Sequence, residues 1–443
     1  MGLRRMKAGF LFFSKGLAAG FLLAAGSLHA YTLEEELSRL IDEHPQIRQG
    51  EKQVESVSQD IRKAQAGFLP VLNLTADSGI DRIDDPGTRE ADSENVYTRN
   101  SSTASLTATQ NLFNGFGTTT QVEIARLNRD VALHTLEGTR QNTLFEGVKS
   151  YIDVLRQLRL VDLSSANESN IQNQLSLEDE RVQRGSGIAV DVLQAKSRLQ
   201  ISKERRVNFE GTLEDAVSRY IQIFQRAPEL SNMMDPIPPV DLIPSELETA
   251  IAIALEENPA VSNAMTGTET AARKRKLAGA EYFPQLDLVG RSNYEKNVGG
   301  ALGTQRDQSV KLRSTWNLFT GFTTDASLTQ SAFDYGASKD NMIFVGRKIE
   351  EQVRISWQAL ITVRKRIELL ENAVNIASEV YTARKQLREA GKETVLNVLD
   401  AESEVFNAQI SFTAVSYDER VAVYQLLLAM GRLNPAYLRL ASN

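Results

Sequence analysis

The chain has 443 residues, no cysteine, three histidines, eleven prolines and a formal net charge of −7. Without cysteine, disulfide scaffolds, thiolate metal sites, thiol catalysis and an acylated lipoprotein anchor are excluded. His29, His44 and His134 are too few and too scattered for a metal or His-based catalytic cluster, and no nucleophile motif accompanies them. The expectation is a protein that is not an enzyme and holds no cofactor.

Residues 1–30 read as a secretory signal. Arg4, Arg5 and Lys7 make a basic start, and Gly16–Leu28 is apolar and too short for a membrane span of ~20 residues. Cleavage is expected after Ala30, or after Ser27 because Leu28 suits the preceding small-residue position poorly. The remainder carries 46 basic against 57 acidic residues, a net −11, which argues against nucleic acid as a partner. No later stretch has 18 consecutive apolar residues, so the exported chain is expected to be periplasmic, extracellular or an outer-membrane β-barrel.

Length alone suggests about three domains of roughly 150 residues, but proline placement opposes this. No proline lies between Pro86 and Pro228 or between Pro284 and Pro435, which points to long uninterrupted helices. Self-comparison then shows a duplication. Glu43-His44-Pro45 matches Glu257-Asn258-Pro259, and Gly67-Phe68-Leu69-Pro70 matches Glu281-Tyr282-Phe283-Pro284, both at an offset of 214. Asn111-Leu112-Phe113-Asn114-Gly115-Phe116 matches Asn317-Leu318-Phe319-Thr320-Gly321-Phe322 at 206, and Asp191–Ala195 matches Asn397–Ala401 at the same 206. The eight-residue difference therefore falls between Pro70 and Asn111. The expected organisation is a signal at 1–30, a first repeat at 31–227, a Pro-rich linker at 228–245 and a second repeat at 246–443.

Each repeat opens with a helical segment, 33–67 and 246–281, that ends at the aromatic-Pro signal. Period-two stretches follow at Val71–Ile80 and Thr103–Phe113, then at Leu286–Lys296 and Ser309–Phe319, and predict strands. After each Asn-Leu-Phe-x-Gly-Phe a long helix begins. From Thr118 to Arg184 it would run ~100 Å at 1.5 Å per residue. Leu144, Val148, Tyr151, Leu155 and Leu158 form a coiled-coil seam, echoed by Leu360, Val363, Ile367, Leu370 and Val374. Turns at Gly185-Ser186-Gly187 and at Gly391 reverse the chain into return helices about half as long. Incoming and outgoing helices would then stack end to end along each long one.

Four strands cannot close a membrane barrel, since about eight is the smallest number known, and open edges in lipid leave unpaired backbone groups. Membrane strands would require several chains, and three chains would supply twelve. The alternative at this point is a periplasmic coiled-coil scaffold capped by a soluble hairpin.

These residues resemble the TolC-type outer-membrane channel-tunnels, the outer membrane efflux protein family, over roughly residues 31–440. The resemblance rests on the duplicated plan, the Phe-Leu-Pro and Tyr-Phe-Pro strand starts and the two Asn-Leu-Phe-x-Gly-Phe strand exits. It also rests on Gly-x5-Asp/Asn-Val-Leu-x-Ala at Gly185–Ala195 and Gly391–Ala401. It implies a mainly α fold with a small β part: a homotrimeric twelve-stranded barrel in outer-membrane lipid, continuous with a twelve-helix periplasmic barrel. The implied partners are a periplasmic adaptor (membrane fusion) protein and an inner-membrane transporter, with the ABC type favoured. The duct itself would be passive, carrying either an exported protein or a small molecule. The second turn, Ala390–Asp400, is most similar to members serving type I secretion; multidrug efflux is the alternative.

The resemblance also assigns residues. Acidic rings narrow the family's periplasmic tip; Asp400 matches one, while Asn397 departs from the other, so one ring is expected to be missing. Where a Tyr and an Arg close the tip in the best-known members, this chain has Arg388 and Glu393, so the same locking bonds do not carry over. Gly185, Ser186, Gly187, Gly391 and Lys392 are the expected adaptor-docking turns. Phe68, Phe113, Phe116, Phe283, Trp316, Phe319 and Phe322 are expected at the membrane interface or wedged into the strand–helix junctions. The charged segment Asp81–Glu94 is expected as an outward-facing loop.

Overall fold

A computed structural model describes residues 32–84 and 97–438. The signal expected at 1–30 and most of the charged loop at 81–94 lie outside the described residues. The first repeat comprises helices α1 (Leu33–Glu43) and α2 (Pro45–Gln65), strands β1 (Val71–Ile83) and β2 (Tyr97–Asn114), helix α3 (Gly117–Gln183) and helix α4 (Ala189–Phe224). The second comprises α5 (Leu247–Glu257), α6 (Pro259–Gly279), β3 (Gln285–Lys296), β4 (Thr304–Thr315), α7 (Thr323–Glu389) and α8 (Val395–Ala429).

Where one incoming helix per repeat was expected, there are two. Proline lacks the N–H that would continue the ladder and drives its predecessor out of the helical region. His44 and Asn258 accordingly take extended backbone (ψ 129° and 125°), and Pro45 and Pro259 restart the helix at its first position. The same rule ends the second helices. A single 3-10 turn leads into Leu69 and Phe283, both extended ahead of Pro70 and Pro284.

α3 and α7 each have 67 residues, ~100 Å of helix. α3 packs along α4 and also against α2, α6 and α8, which makes it the central post of the chain. α7 packs against α8, α6 and α5 and is correspondingly less covered. Two apolar cores result. A mid-shaft belt gathers Leu37, Leu144, Tyr151, Phe224, Ala254 and Leu427, with the linker pinned to it where the Tyr151 hydroxyl donates to the Met234 carbonyl at 2.9 Å. A smaller core near the helical turns holds Ile171, Leu175, Val192, Leu199, Val395 and Leu399. Each fully buried aliphatic side chain contributes about 1.5–3 kcal/mol.

The strands form one antiparallel meander, β1-β2-β3-β4. β4 ends at Thr315, short of the expected Phe319. Its one partner strand among the described residues, β3, begins at Gln285 opposite Thr315, so Trp316–Phe319 have no ladder to join there. β2 runs on to Asn114 because a bulge between Asn111 and Phe113 lets it pair with Leu286 and Gln285.

Candidate functional site

Register decides which side chains share a face of the sheet. Leu72 lies opposite Ala108, Ala108 opposite Gly290 and Gly290 opposite Val310; Leu74 faces Leu106, and Leu288 faces Leu312. One face therefore collects leucine, valine and alanine in the half of the sheet next to the helices, and Ile80 among Ser78, Asn100, Ser102, Arg306 and Gln308 towards the hairpin tips. The other collects Asn73, Thr75, Asp77, Thr103, Ser105, Asn293, Asp307 and Lys311 by the same pairings. Leu72, Leu74, Ile80, Val310 and Leu312 are all exposed in the single chain. β1 and β4 are open edges with no partner strand among the described residues. An amphipathic sheet with two free edges is what one chain's share of a membrane barrel would present. No helix among the described residues is long and apolar enough to cross a membrane.

At the base of the sheet both strand exits turn the same corner. Gly115 and Phe116, like Gly321 and Phe322, adopt left-handed backbone in succession (φ 64° to 66°). A phenylalanine is strained there, and each is held edge-on by the Phe three residues earlier: Phe113–Phe116 at 5.5 Å and Phe319–Phe322 at 5.4 Å. Phe283 closes on Phe113 at 6.4 Å, and the Trp316 indole N–H donates to the Tyr282 carbonyl at 3.2 Å. Of the seven aromatics singled out in the sequence, Phe113 is half-buried and Phe68, Phe116, Phe283, Trp316, Phe319 and Phe322 are exposed.

At the opposite end the long helices finish in matching turns. Gly185 and Gly391 take φ 78° and 75°, and the next N–H reaches back to Arg181 and Leu387 respectively. This is the left-handed helix stop that glycine permits. Ser186, Gly187 and Lys392 lie in these turns. The returning helices start differently: Thr394 caps α8 by accepting from the Asn397 N–H, whereas no side chain caps α4.

Above the turns a charged cluster joins the two repeats. Arg388 of α7 reaches Glu178 of α3 at 2.7 Å and Asp191 of α4 at 3.3 Å, and donates to the Glu393 carbonyl at 3.1 Å. The structure thus brings Arg388 and Glu393 together, but through the backbone. The Glu393 carboxylate is taken up by Asn397 Nδ2 at 2.6 Å and the Thr394 N–H, and its pKa is lowered chiefly by the Asn397 bond and then by the Thr394 bond. Asp400, half-exposed, pairs with Arg198 of α4. Glu178, Asp191 and Arg198 were not singled out in the sequence. Asp191 was visible as the first-repeat counterpart of Asn397; the partners of Glu178 and Arg198 depend on how the two repeats pack.

The residues matching the family model for "Outer membrane efflux protein" are 37–223 and 250–432, most of both repeats. The chain belongs to the outer membrane efflux protein family. Among its relatives is the outer membrane efflux protein BepC of Brucella suis, 22% identical over 425 residues, covering 96% of this chain and 90% of BepC. Another is the alkaline protease secretion protein AprF of Pseudomonas aeruginosa, 22% identical over 329 residues, covering 72% of this chain and 68% of AprF. Among solved structures, the outer membrane protein VceC of Vibrio cholerae superposes with a TM-score of 0.76 at 15% identity, over 90% of this chain and 96% of VceC. This family member is an outer-membrane conduit of the TolC type and not an enzyme.

Proposed function

We propose that three copies of the chain pool their sheets into a twelve-stranded barrel and their helices into a periplasmic tunnel, forming the exit duct of a tripartite export machine. The observation that carries the reading is the four-stranded amphipathic sheet with two free edges, which a single chain cannot close. The exposed aromatics at its base suit the periplasmic interface of the bilayer. The turns at Gly185–Gly187 and Gly391-Lys392 stand at the far end, ~100 Å of helix away, where a periplasmic adaptor would dock and couple the duct to an inner-membrane transporter of ABC type. The duct has no motor of its own, so the transporter drives export.

For cargo, type I secretion of a protein is the first reading. It is supported by the second-turn sequence and by the likeness to AprF, a protein named for protease secretion. The likeness to BepC, an efflux protein by name, supports small-molecule efflux as the second. A strain lacking this gene separates the two. Disappearance of a large secreted protein from the medium with unchanged drug sensitivity is expected; drug hypersensitivity with intact secretion would replace the first reading by the second.

A further inference from the structure

Near the tip the seam between the repeats contains a carboxyl that the duct as described does not use. Glu402 of α8 is only 5% exposed. Its Oε2 accepts from Gln174 Nε2 of α3 at 2.6 Å, and the same amide nitrogen donates to the Tyr381 hydroxyl of α7 at 3.2 Å. One amide of the first repeat thus holds both helices of the second. Glu402 Oε1 is buried with no hydrogen-bond partner, a costly situation for an anion and a mild one for a neutral acid.

The surrounding charges do little to offset this. From α7, Lys385 and Tyr381 face the carboxyl. On α3 the next acidic group, Glu178, is one turn further on and already engaged by Arg181 and Arg388. On α4, Arg198 is taken by Asp400, which with exposed Glu404 belongs to Glu402's own helix. Burial pushes the Glu402 carboxyl from 4.5 up to about 7, against the opposing pull of the Gln174 bond and then of Lys385. A cleft of about 200 Å³ adjoins the seam, lined in part by Gln174, Tyr381, Lys385 and Arg388, so water has a route to it once the helices part.

We propose that Gln174, Tyr381 and Glu402 form a protonation-dependent clasp between the two helical hairpins, closed while Glu402 is neutral and released when it ionises. A carboxyl whose pKa is raised by packing stabilises the packed state fully below its ordinary value. That stabilisation declines as pH rises from 4.5 and is gone above about 7. Acid therefore closes the clasp and mild alkali loosens it, with one proton per chain. The consequence for flow rests on the conduit reading; the clasp itself is a property of the seam.

The chain has no cysteine, so a single introduced thiol is a clean probe. Ala401→Cys, beside Glu402 at a position 4% exposed, reports opening, and Ser176→Cys on the exposed side of α3 corrects for thiol ionisation. In the full detergent-solubilised protein, the ratio of their reaction rates with a charged thiol reagent should rise from about pH 5 to about pH 7 and level off above that, at most about tenfold per unit. Adding E402Q, which keeps the shape and removes the charge, should hold the ratio low and flat. Q174L removes a bond that favours the anion and should move the midpoint to higher pH. A flat ratio without E402Q, an unchanged rise with it, or an unmoved midpoint in Q174L would each overturn the clasp. Conductance of the same proteins in planar bilayers should follow the thiol ratio. Flow indifferent to it overturns the gating role, whereas no conductance at any pH counts against the conduit reading and leaves the thiol titration to judge the clasp.

Discussion

Asp400 and Arg198 show how a residue's role depends on its partner. By its resemblance to the family pattern we propose Asp400 as a carboxylate that attracts cations at the narrow end of the duct. In the folded chain its charge is opposed at contact distance by Arg198, and the pair is half-exposed rather than buried. An exposed pair adds little to stability, so its effect should appear in permeation. Arg198→Ala leaves the carboxylate unopposed and should raise the cation-to-anion permeability ratio about twofold, while Asp400→Ala should lower it by a similar factor. Reversal potentials in a salt gradient measure both. Equal ratios in the two variants would remove the pair from the conduction path. Asp400 was singled out by the family resemblance of its word, Asn-Val-Leu-Asp, whose first-repeat counterpart reads Asp-Val-Leu-Gln. Arg198 stands in no such word, and the matching position of the second repeat is Glu404. Side chains that join one repeat to the other leave no internal echo, which is why Glu178, Gln174 and Glu402 were equally hidden.

Among the elements, the strand-to-helix corner is the most instructive. Its repeated letters, Asn-Leu-Phe-x-Gly-Phe, announced a boundary but not the two consecutive left-handed residues that make it. Nor did they reveal that the copies differ in their surroundings. A Cβ on Gly115 would lie 2.5 Å from the Ala280 carbonyl oxygen, whereas Gly321 has nothing within 4 Å. Gly321→Ala should therefore cost only the left-handed penalty, about 1–2 kcal/mol. Gly115→Ala should cost several kcal/mol, because backbone must shift as well. Thermal unfolding in detergent, followed by circular dichroism, should rank them in that order, and equal losses would show that the 2.5 Å approach relaxes freely. The long helices were legible almost to the residue, since proline-free sequence and a glycine stop mark both ends. The broken incoming helices were misjudged although the prolines were in plain view: apolar periodicity continues across a proline, but the backbone ladder does not.

For the molecule as a whole, the two repeats are alike in sequence plan and unlike in burial. α3 stands inside the chain, while α7 displays Phe333, Phe344, Ile355, Leu369 and Ile376, all exposed. The first three are spaced by eleven residues and the last two by seven, so all lie along one side of the helix. A stripe of this size on a lone chain marks an interface, and in the proposed trimer the neighbouring protomer covers it. Phe344→Asp should weaken each interface by about 2 kcal/mol or more and shift the detergent-solubilised protein from trimer to monomer at unchanged helix content. Light scattering with circular dichroism reads both quantities; a trimer unaffected by the charge would place the interface elsewhere.

The equal lengths of α3 and α7, 67 residues each, restrict how such a protein can change its reach. One residue added to a single long helix would lengthen that post by about 1.5 Å and rotate everything beyond it by about 100°. The two turns would then no longer be level, and the seam between them would lose its registry. Insertions in the shaft should be inherited in matched pairs and in steps near seven or eleven residues, which restore the helix face. Unmatched changes can accumulate where nothing must remain level. The eight-residue difference between the repeats fits that rule, for it falls in the strand hairpin and not in the shaft.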